Sequence, residues 1–194
     1  MSLQTSSAVY AGGFSNPPVA SAHAFRAAMN AMARPGEVQE ITGATPPEGI
    51  SPAAGCLLLT LCDPETGVFL APGADTEAVR AWLAFHTGAP IVAAEQADFV
   101  LGSWEALMPL ARFRTGTPEY PDRSATLIVE VPGFGTPNAQ LRGPGIKGTA
   151  EMQLPELAAF QDNAVLYPLG LDFFFTSGSQ VAALPRSTQV AAEA

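Results

Sequence analysis

Lysine is nearly absent from this 194-residue chain: Lys147 is the only one, and eight arginines complete a basic set of nine against eighteen acidic residues. The formal net charge of -9 and the single spacing of most cations exclude a polyanion-binding groove built by this chain alone, and with it nucleic acid as a partner. Only two cysteines and two histidines are present. Cys56 and Cys62 share one apolar run with no ligand-pair spacing to His23 or His86, so neither a disulfide framework nor a zinc site is expected. No window reaches 18 consecutive apolar residues, and the first residues have neither a basic stretch nor an apolar one. The expectation is a cytoplasmic protein with reduced thiols that makes no use of a membrane. Standard catalytic signatures are missing too: no G-x-x-x-x-G-K-[ST], no G-x-G-x-x-G after a strand, no H-E-x-x-H and no G-x-S-x-G.

What is present is apolar: 47% of residues are hydrophobic and only 14% charged, which implies one well-filled globular domain and excludes disorder. A surface so poor in charge also suggests cover by partner subunits. Residues 1–20 are rich in Ser, Ala, Gly and Pro without a period and read as a flexible arm, residues 21–190 as a single α/β domain, and residues 191–194 as a tail.

Within that domain, Ser21 is placed to cap a helix ending at Arg34, with Phe25, Met29 and Met32 on its buried face. Val38 to Thr42 reads as a short extended piece. Leu57 to Leu61 is a continuous apolar run that reads as a strand, paired in a hairpin with Val68-Phe69-Leu70; in a strand the two cysteines stand about 20 Å apart. Asp75 or Thr76 caps a helix carrying Val79, Trp82, Leu83 and His86. Pro90 to Ala93 and Ala97 to Leu101 read as strands, Ser103 caps a brief helix to Leu107, and the branched run Ala125 to Val131 reads as a central strand. Pro155 opens a short helix from Glu156 to Gln161, and Leu171 to Thr176 with Gln180 to Leu184 form a closing hairpin.

The candidate functional residues are cationic or polar groups at turns. Leu141-Arg142-Gly143-Pro144-Gly145-Ile146-Lys147-Gly148 puts three glycines, a proline and two cations in eight residues, which suits either a small anion cradle or a solvated turn. Arg112-Phe113-Arg114-Thr115-Gly116-Thr117 offers guanidinium groups and hydroxyls to a phosphate-like group, or is a loop leading into a strand. His86 in a last helical turn and Arg186 after a buried strand complete the set. Asp172, at the start of an apolar strand, either pairs with an arginine or lies at a sheet edge. The candidates for anion binding or an interface are therefore His86, Arg112, Arg114, Thr115, Thr117, Arg142 and Arg186; no metal site and no catalytic residue emerges.

A series of segments in fixed order carries a family resemblance from about Ser21 to Val190: Phe25-Arg26 followed by Met32 and Pro35-Gly36; Leu57-Leu58-Leu59-Thr60-Leu61 followed by Asp63; Phe85-His86-Thr87-Gly88-Ala89-Pro90; Thr115-Gly116-Thr117 before Ala125-Thr126-Leu127-Ile128; Leu141-Arg142-Gly143-Pro144-Gly145-Ile146; Pro168-Leu169-Gly170-Leu171-Asp172; and Leu184-Pro185-Arg186-Ser187-Thr188. The chain resembles the PhnH family of the bacterial carbon-phosphorus lyase machinery. The resemblance implies a homodimeric supporting subunit acting with PhnG, PhnI and PhnJ in phosphonate metabolism. The assembly couples an alkylphosphonate to ATP, displaces adenine and leaves a ribose 1-phosphonate 5-triphosphate, before a radical S-adenosylmethionine iron-sulfur subunit cleaves the C-P bond. It implies a three-layer α/β fold round a mixed sheet, similar to the large domain of pyridoxal-phosphate (PLP)-dependent transferases but without the cofactor. ATP, S-adenosylmethionine and the iron-sulfur cluster belong to the wider complex. Independently, a Schiff-base lysine has one candidate, Lys147, in a Gly-rich turn without a surrounding phosphate site, which argues against PLP.

Overall fold

The computed structural model describes residues 10–193. Its centre is a six-stranded mixed sheet in the order β1-β8-β7-β4-β3-β2, built from β1 (Gln39–Glu40), β2 (Val68–Leu70), β3 (Phe99–Ser103), β4 (Thr126–Glu130), β7 (Asp172–Ser177) and β8 (Gln180–Leu184). β2, β3, β4 and β7 run parallel, and β8 and β1 are antiparallel additions at one edge. Parallel strands are covered on both faces, so they read as unbroken apolar runs. β4 and β7 show this: Ile128 and Phe174 enter one hydrophobic cluster, while Leu127, Val129, Phe173 and Phe175 enter the other.

The first cluster lies under three helices, α1 (Pro17–Ala33), α2 (Pro52–Leu61) and α3 (Glu77–His86). The second lies under α4 (Trp104–Leu107), α5 (Leu157–Val165) and a small antiparallel sheet in the order β6-β5-β9, formed by β5 (Ala139–Arg142), β6 (Ala150–Met152) and β9 (Gln189–Ala192). Trp104, Phe160, Phe173 and Phe175 stack there with ring centroids 4.9 to 6.5 Å apart. The fold is α/β as the sequence implies, with the central position of β4 and the closing β7–β8 hairpin in place. No described helix is long and apolar enough to cross a membrane.

Three expectations are corrected. Leu57 to Leu61 is the second half of helix α2, not a strand in a hairpin with β2. An unbroken apolar run fits a buried helix as well as a buried strand, and the helix is decided upstream, where the Ser51 hydroxyl accepts from the Ala54 amide at 3.1 Å and Pro52 occupies the first helical position. Cys56 and Cys62 are accordingly about 9 Å apart along the axis by helical rise, and both are buried and free. Pro90 to Ala93 forms no strand; only Ile91 bridges to Val68.

Helix α1 starts at Pro17, four residues before Ser21, and buries Ala24, Ala28 and Ala31, leaving Phe25 and Met29 half exposed. Its alanine stripe lets the axis approach α2 and β8 closely, and bulky side chains on that face would hold it away. The expected arm falls partly on residues 1–9, outside the described residues. Its next part is tied down: the Ala11 carbonyl accepts from the Trp82 indole at 3.1 Å, and the Gly12 carbonyl accepts from the Thr45 amide at 2.8 Å.

Candidate functional site

The starts of the parallel strands are fixed by two arginine–aspartate pairs. Asp172 opens β7 and accepts from Arg186, whose backbone amide bonds Asp172 Oδ1 at 2.8 Å and whose Nε reaches both carboxylate oxygens at 3.2 and 3.1 Å. The same guanidinium also bonds the Ser124 hydroxyl and the Pro121 carbonyl. Arg186 is thus engaged on every side, with 14% of its side chain exposed beside 21% for Asp172. Of the two roles open to Asp172, arginine pairing is the one adopted.

Arg114 repeats the pattern one strand away. It pairs with Asp98, which directly precedes β3, and bonds the Ala97 carbonyl at 3.1 Å, while Asp98 Oδ2 accepts from the Gly67 amide at 2.8 Å. Thr115 bridges Ser124, and its carbonyl accepts from the Gly170 amide at 3.0 Å. Thr117 caps a tight turn, its hydroxyl accepting from the Tyr120 amide at 3.1 Å. Arg114, Thr115 and Arg186 therefore meet along the loop before β4, where they join strands to one another.

The remaining candidates stand apart from that group. Arg112 donates to the Ala106 carbonyl at 2.7 Å, and its guanidinium carbon lies 5.1 and 4.9 Å from the ring centres of Phe69 and Phe113. His86 packs against Trp82 and Phe85 with centroid distances of 5.2 and 4.8 Å. Gly13 lies so close above it that a Cβ there would stand 2.4 Å from His86 Cε1, so this imidazole holds the segment before α1 in place. Arg142, at the end of β5, is exposed and bonds only the Gln140 side chain, at 3.3 Å.

The glycine-rich turn after Arg142 is a clasp. Gly145 has φ +81°, and a Cβ on it would stand 1.9 Å from the Ala33 carbonyl oxygen, so the turn lies on the last residue of α1. Gly143 approaches the Ser187 carbonyl in the same way. Two glycines are needed because two backbone segments pass through the turn's flanks. Lys147 in this turn is exposed, away from the C-terminal ends of the parallel strands.

At those C-terminal ends, where open α/β sheets commonly bind ligands, sequence reasoning named no residue. Glu130 ends β4 and accepts from the Ser51 amide at 2.6 Å and from the Thr176 hydroxyl at 3.1 Å. Burial pushes its carboxyl above the ordinary glutamate range, and the bonds from Ser51 and Thr176 partly oppose that. Glu130 thus anchors the start of α2 to the sheet. The signal that could have found it is the same Ser51-Pro52 pair that marks the helix, since a helix N-terminus attracts a carboxylate. The adjoining cleft of about 90 Å³ is lined mainly by apolar groups, including Val131, Pro132, Phe134 and Phe175.

Burial, with Asp63 and Asp98 nearby, pushes the Cys62 thiol up to about 12, and burial also raises Cys56, so neither supplies a thiolate near neutrality. No cluster of three or more His, Cys, Asp or Glu side chains able to hold a metal occurs among the described residues.

These features define an α/β protein with a mixed central sheet whose best-placed guanidinium groups, Arg114 and Arg186, hold strands together. A family model described as "Bacterial phosphonate metabolism protein (PhnH)" matches residues 12–191. The chain belongs to the PhnH family, as the ordered segments imply. It is 37% identical over 201 aligned positions to the alpha-D-ribose 1-methylphosphonate 5-triphosphate synthase subunit PhnH of Rhizobium meliloti (strain 1021), covering 98% of this chain and all of that protein. It is 31% identical over 175 positions to HtxG of Stutzerimonas stutzeri, which carries the name of a C-P lyase subunit, covering 86% of this chain and 84% of HtxG.

Proposed function

We propose that this chain is a non-catalytic, supporting subunit of a bacterial carbon-phosphorus lyase machinery. It is needed while an alkylphosphonate is coupled to the ribose triphosphate of ATP, with release of adenine, ahead of C-P cleavage. The observation that carries this reading is the full-length relationship to a synthase subunit, combined with the engagement of Arg114 and Arg186 in strand pairing. The partners are a second copy of the chain and the PhnG, PhnI and PhnJ subunits, in the cytoplasm. The reading that this chain holds no PLP itself is supported by the exposed position of Lys147. A kinship of fold with the large domain of PLP-dependent transferases is supported by four parallel strands continued by an antiparallel one.

The test is to incubate the purified chain with methylphosphonate and ATP, alone and together with the other three subunits, and to measure adenine. The expected result is no adenine from the chain alone and release that requires the chain in the mixture. Turnover by the chain alone, abolished by Arg142→Ala, overturns the proposal. One observation favours a second reading, a binder of small phosphate-like anions: Arg142 is exposed, with only the Gln140 bond engaging its guanidinium. Calorimetric titration with phosphate, methylphosphonate and ATP distinguishes the two.

A further inference from the structure

Val165 at the end of helix α5 and the two residues after it, Leu166 and Tyr167, are consecutive exposed apolar side chains, 83%, 47% and 62% exposed. No other stretch of the described chain displays large apolar side chains in such a run. The segment is held firmly. The Leu166 and Tyr167 amides bond the Asn163 and Ala164 carbonyls at 3.1 and 3.3 Å, and the Leu169 amide bonds the Leu166 carbonyl at 2.9 Å. Beneath it, the buried Asn163 side chain donates to the Leu171 carbonyl at 2.9 Å and accepts from the Leu171 amide at 2.8 Å. A buried amide with both ends engaged therefore fixes a turn whose outer side chains face water, an arrangement that lowers the ordering cost of binding.

Beside Tyr167 lies a hollow of about 410 Å³, lined by Pro144 of the glycine-rich turn, Ala164 and the segment from Arg186 to Gln189. Gln189 also lines an adjoining hollow with Arg142. In a chain with eighteen acidic residues, neither lining contains an Asp or Glu. Arg142, and Lys147 in the same turn, take part in no ion pair among the described residues. The result is a rigid apolar ridge bordered by unpaired positive charge on a protein that is acidic as a whole.

We propose that Val165, Leu166 and Tyr167, with the Arg142–Lys147 turn, form a docking surface for an acidic, apolar-bearing segment of a different protein. This deepens the subunit reading above and rests on it. Apolar contact supplies affinity, and the unpaired cations select an acidic partner and quicken its approach. In a two-fold dimer across this face the Arg142–Lys147 turns of the two copies would approach one another, like charge against like, so a second copy of the chain is the poorer match.

The experiment measures binding of the full chain to the co-expressed PhnG, PhnI and PhnJ subunits by affinity capture and light scattering, at low and high salt. It uses the wild type, Arg142→Glu with Lys147→Glu, and Leu166→Ser with Tyr167→Ser. All four positions are exposed, and melting curves check that each variant folds. The expected result is wild-type binding that weakens with salt, and loss of roughly tenfold or more in affinity for each double variant. Phe25→Ser with Met29→Ser, on the exposed face of α1, serves as a surface control and should bind as wild type. Absence of wild-type binding overturns the subunit reading itself. Wild-type binding retained by both double variants overturns the docking surface alone. Loss of inorganic phosphate binding in Arg142→Glu with Lys147→Glu, with assembly intact, assigns the cations to a small anion and also overturns it.

Discussion

Arg186 and Arg142 lie on neighbouring hollows that share Gln189, yet they occupy opposite chemical situations. Around Arg186 the polar partners are complete: Asp172, Ser124 and Pro121 engage the guanidinium in the loops that start β4 and β7. Around Arg142 they are not, and the turn that follows is fixed by backbone approach to α1 and to Ser187. A charged group surrounded by its own protein is part of the fold, and one left open on a rigid frame is available to something else. Both are candidates for anion binding or an interface in the sequence, and the difference lies in partners brought from 14 to 65 residues away.

The contrast breaks first, and with the largest effect, at Asp172. Removing its carboxylate in Asp172→Ala leaves Arg186 mostly buried without its counter-charge and should destabilise the protein by about 4 kcal/mol, read from urea unfolding. A loss below about 1 kcal/mol would move that pair into the class of solvent-screened ion pairs. Gly145→Ala probes the other side, because the added Cβ meets the Ala33 carbonyl at a positive φ; about 3 kcal/mol is expected, with a matching fall in melting temperature. A neutral outcome would mean that the turn rests on α1 only loosely.

Asn163→Ala removes both bonds to the Leu171 backbone and should cost about 2 kcal/mol, with faster amide exchange confined to residues 165–171. The smallest effect is at Glu130, at the opposite end of the sheet. Its folded-state carboxyl titrates above the unfolded value, so the protonated form is favoured by folding, and stability is lost as pH rises through that range. Glu130→Gln keeps an acceptor for the Ser51 amide and no longer titrates. Its stability relative to wild type should therefore increase between pH 4 and pH 7, and a difference that stays constant with pH would contradict the burial of this carboxylate.

Much of the framework is legible in the residues themselves. β4, β7, β8 and helix α3 follow from branched or aromatic runs, from the Ser177-Gly178-Ser179 turn and from the Thr76 cap, which are local signals. The hairpin expected at Leu57 to Leu61 fails because an unbroken apolar run has no period that separates a helix from a strand, and only the cap at Ser51 decides between them. The face of α1 fails for a steric reason: the largest side chains do not mark the core when a close helix crossing requires alanine. Of the candidate residues, Arg114, Thr115 and Arg186 lie along one loop, each joined to a partner elsewhere in the chain. Their partners, Asp98, Ser124 and Asp172, lie 16, 9 and 14 residues away, so no short motif shows that the guanidinium groups are already engaged.

The most direct measurement compares Arg186→Ala with Arg142→Ala in the same urea titration. If one arginine belongs to the fold and the other faces outward, Arg186→Ala loses about 3 kcal/mol or more while Arg142→Ala stays within about 0.5 kcal/mol of wild type. Equal losses in the two variants, in either direction, would contradict the division.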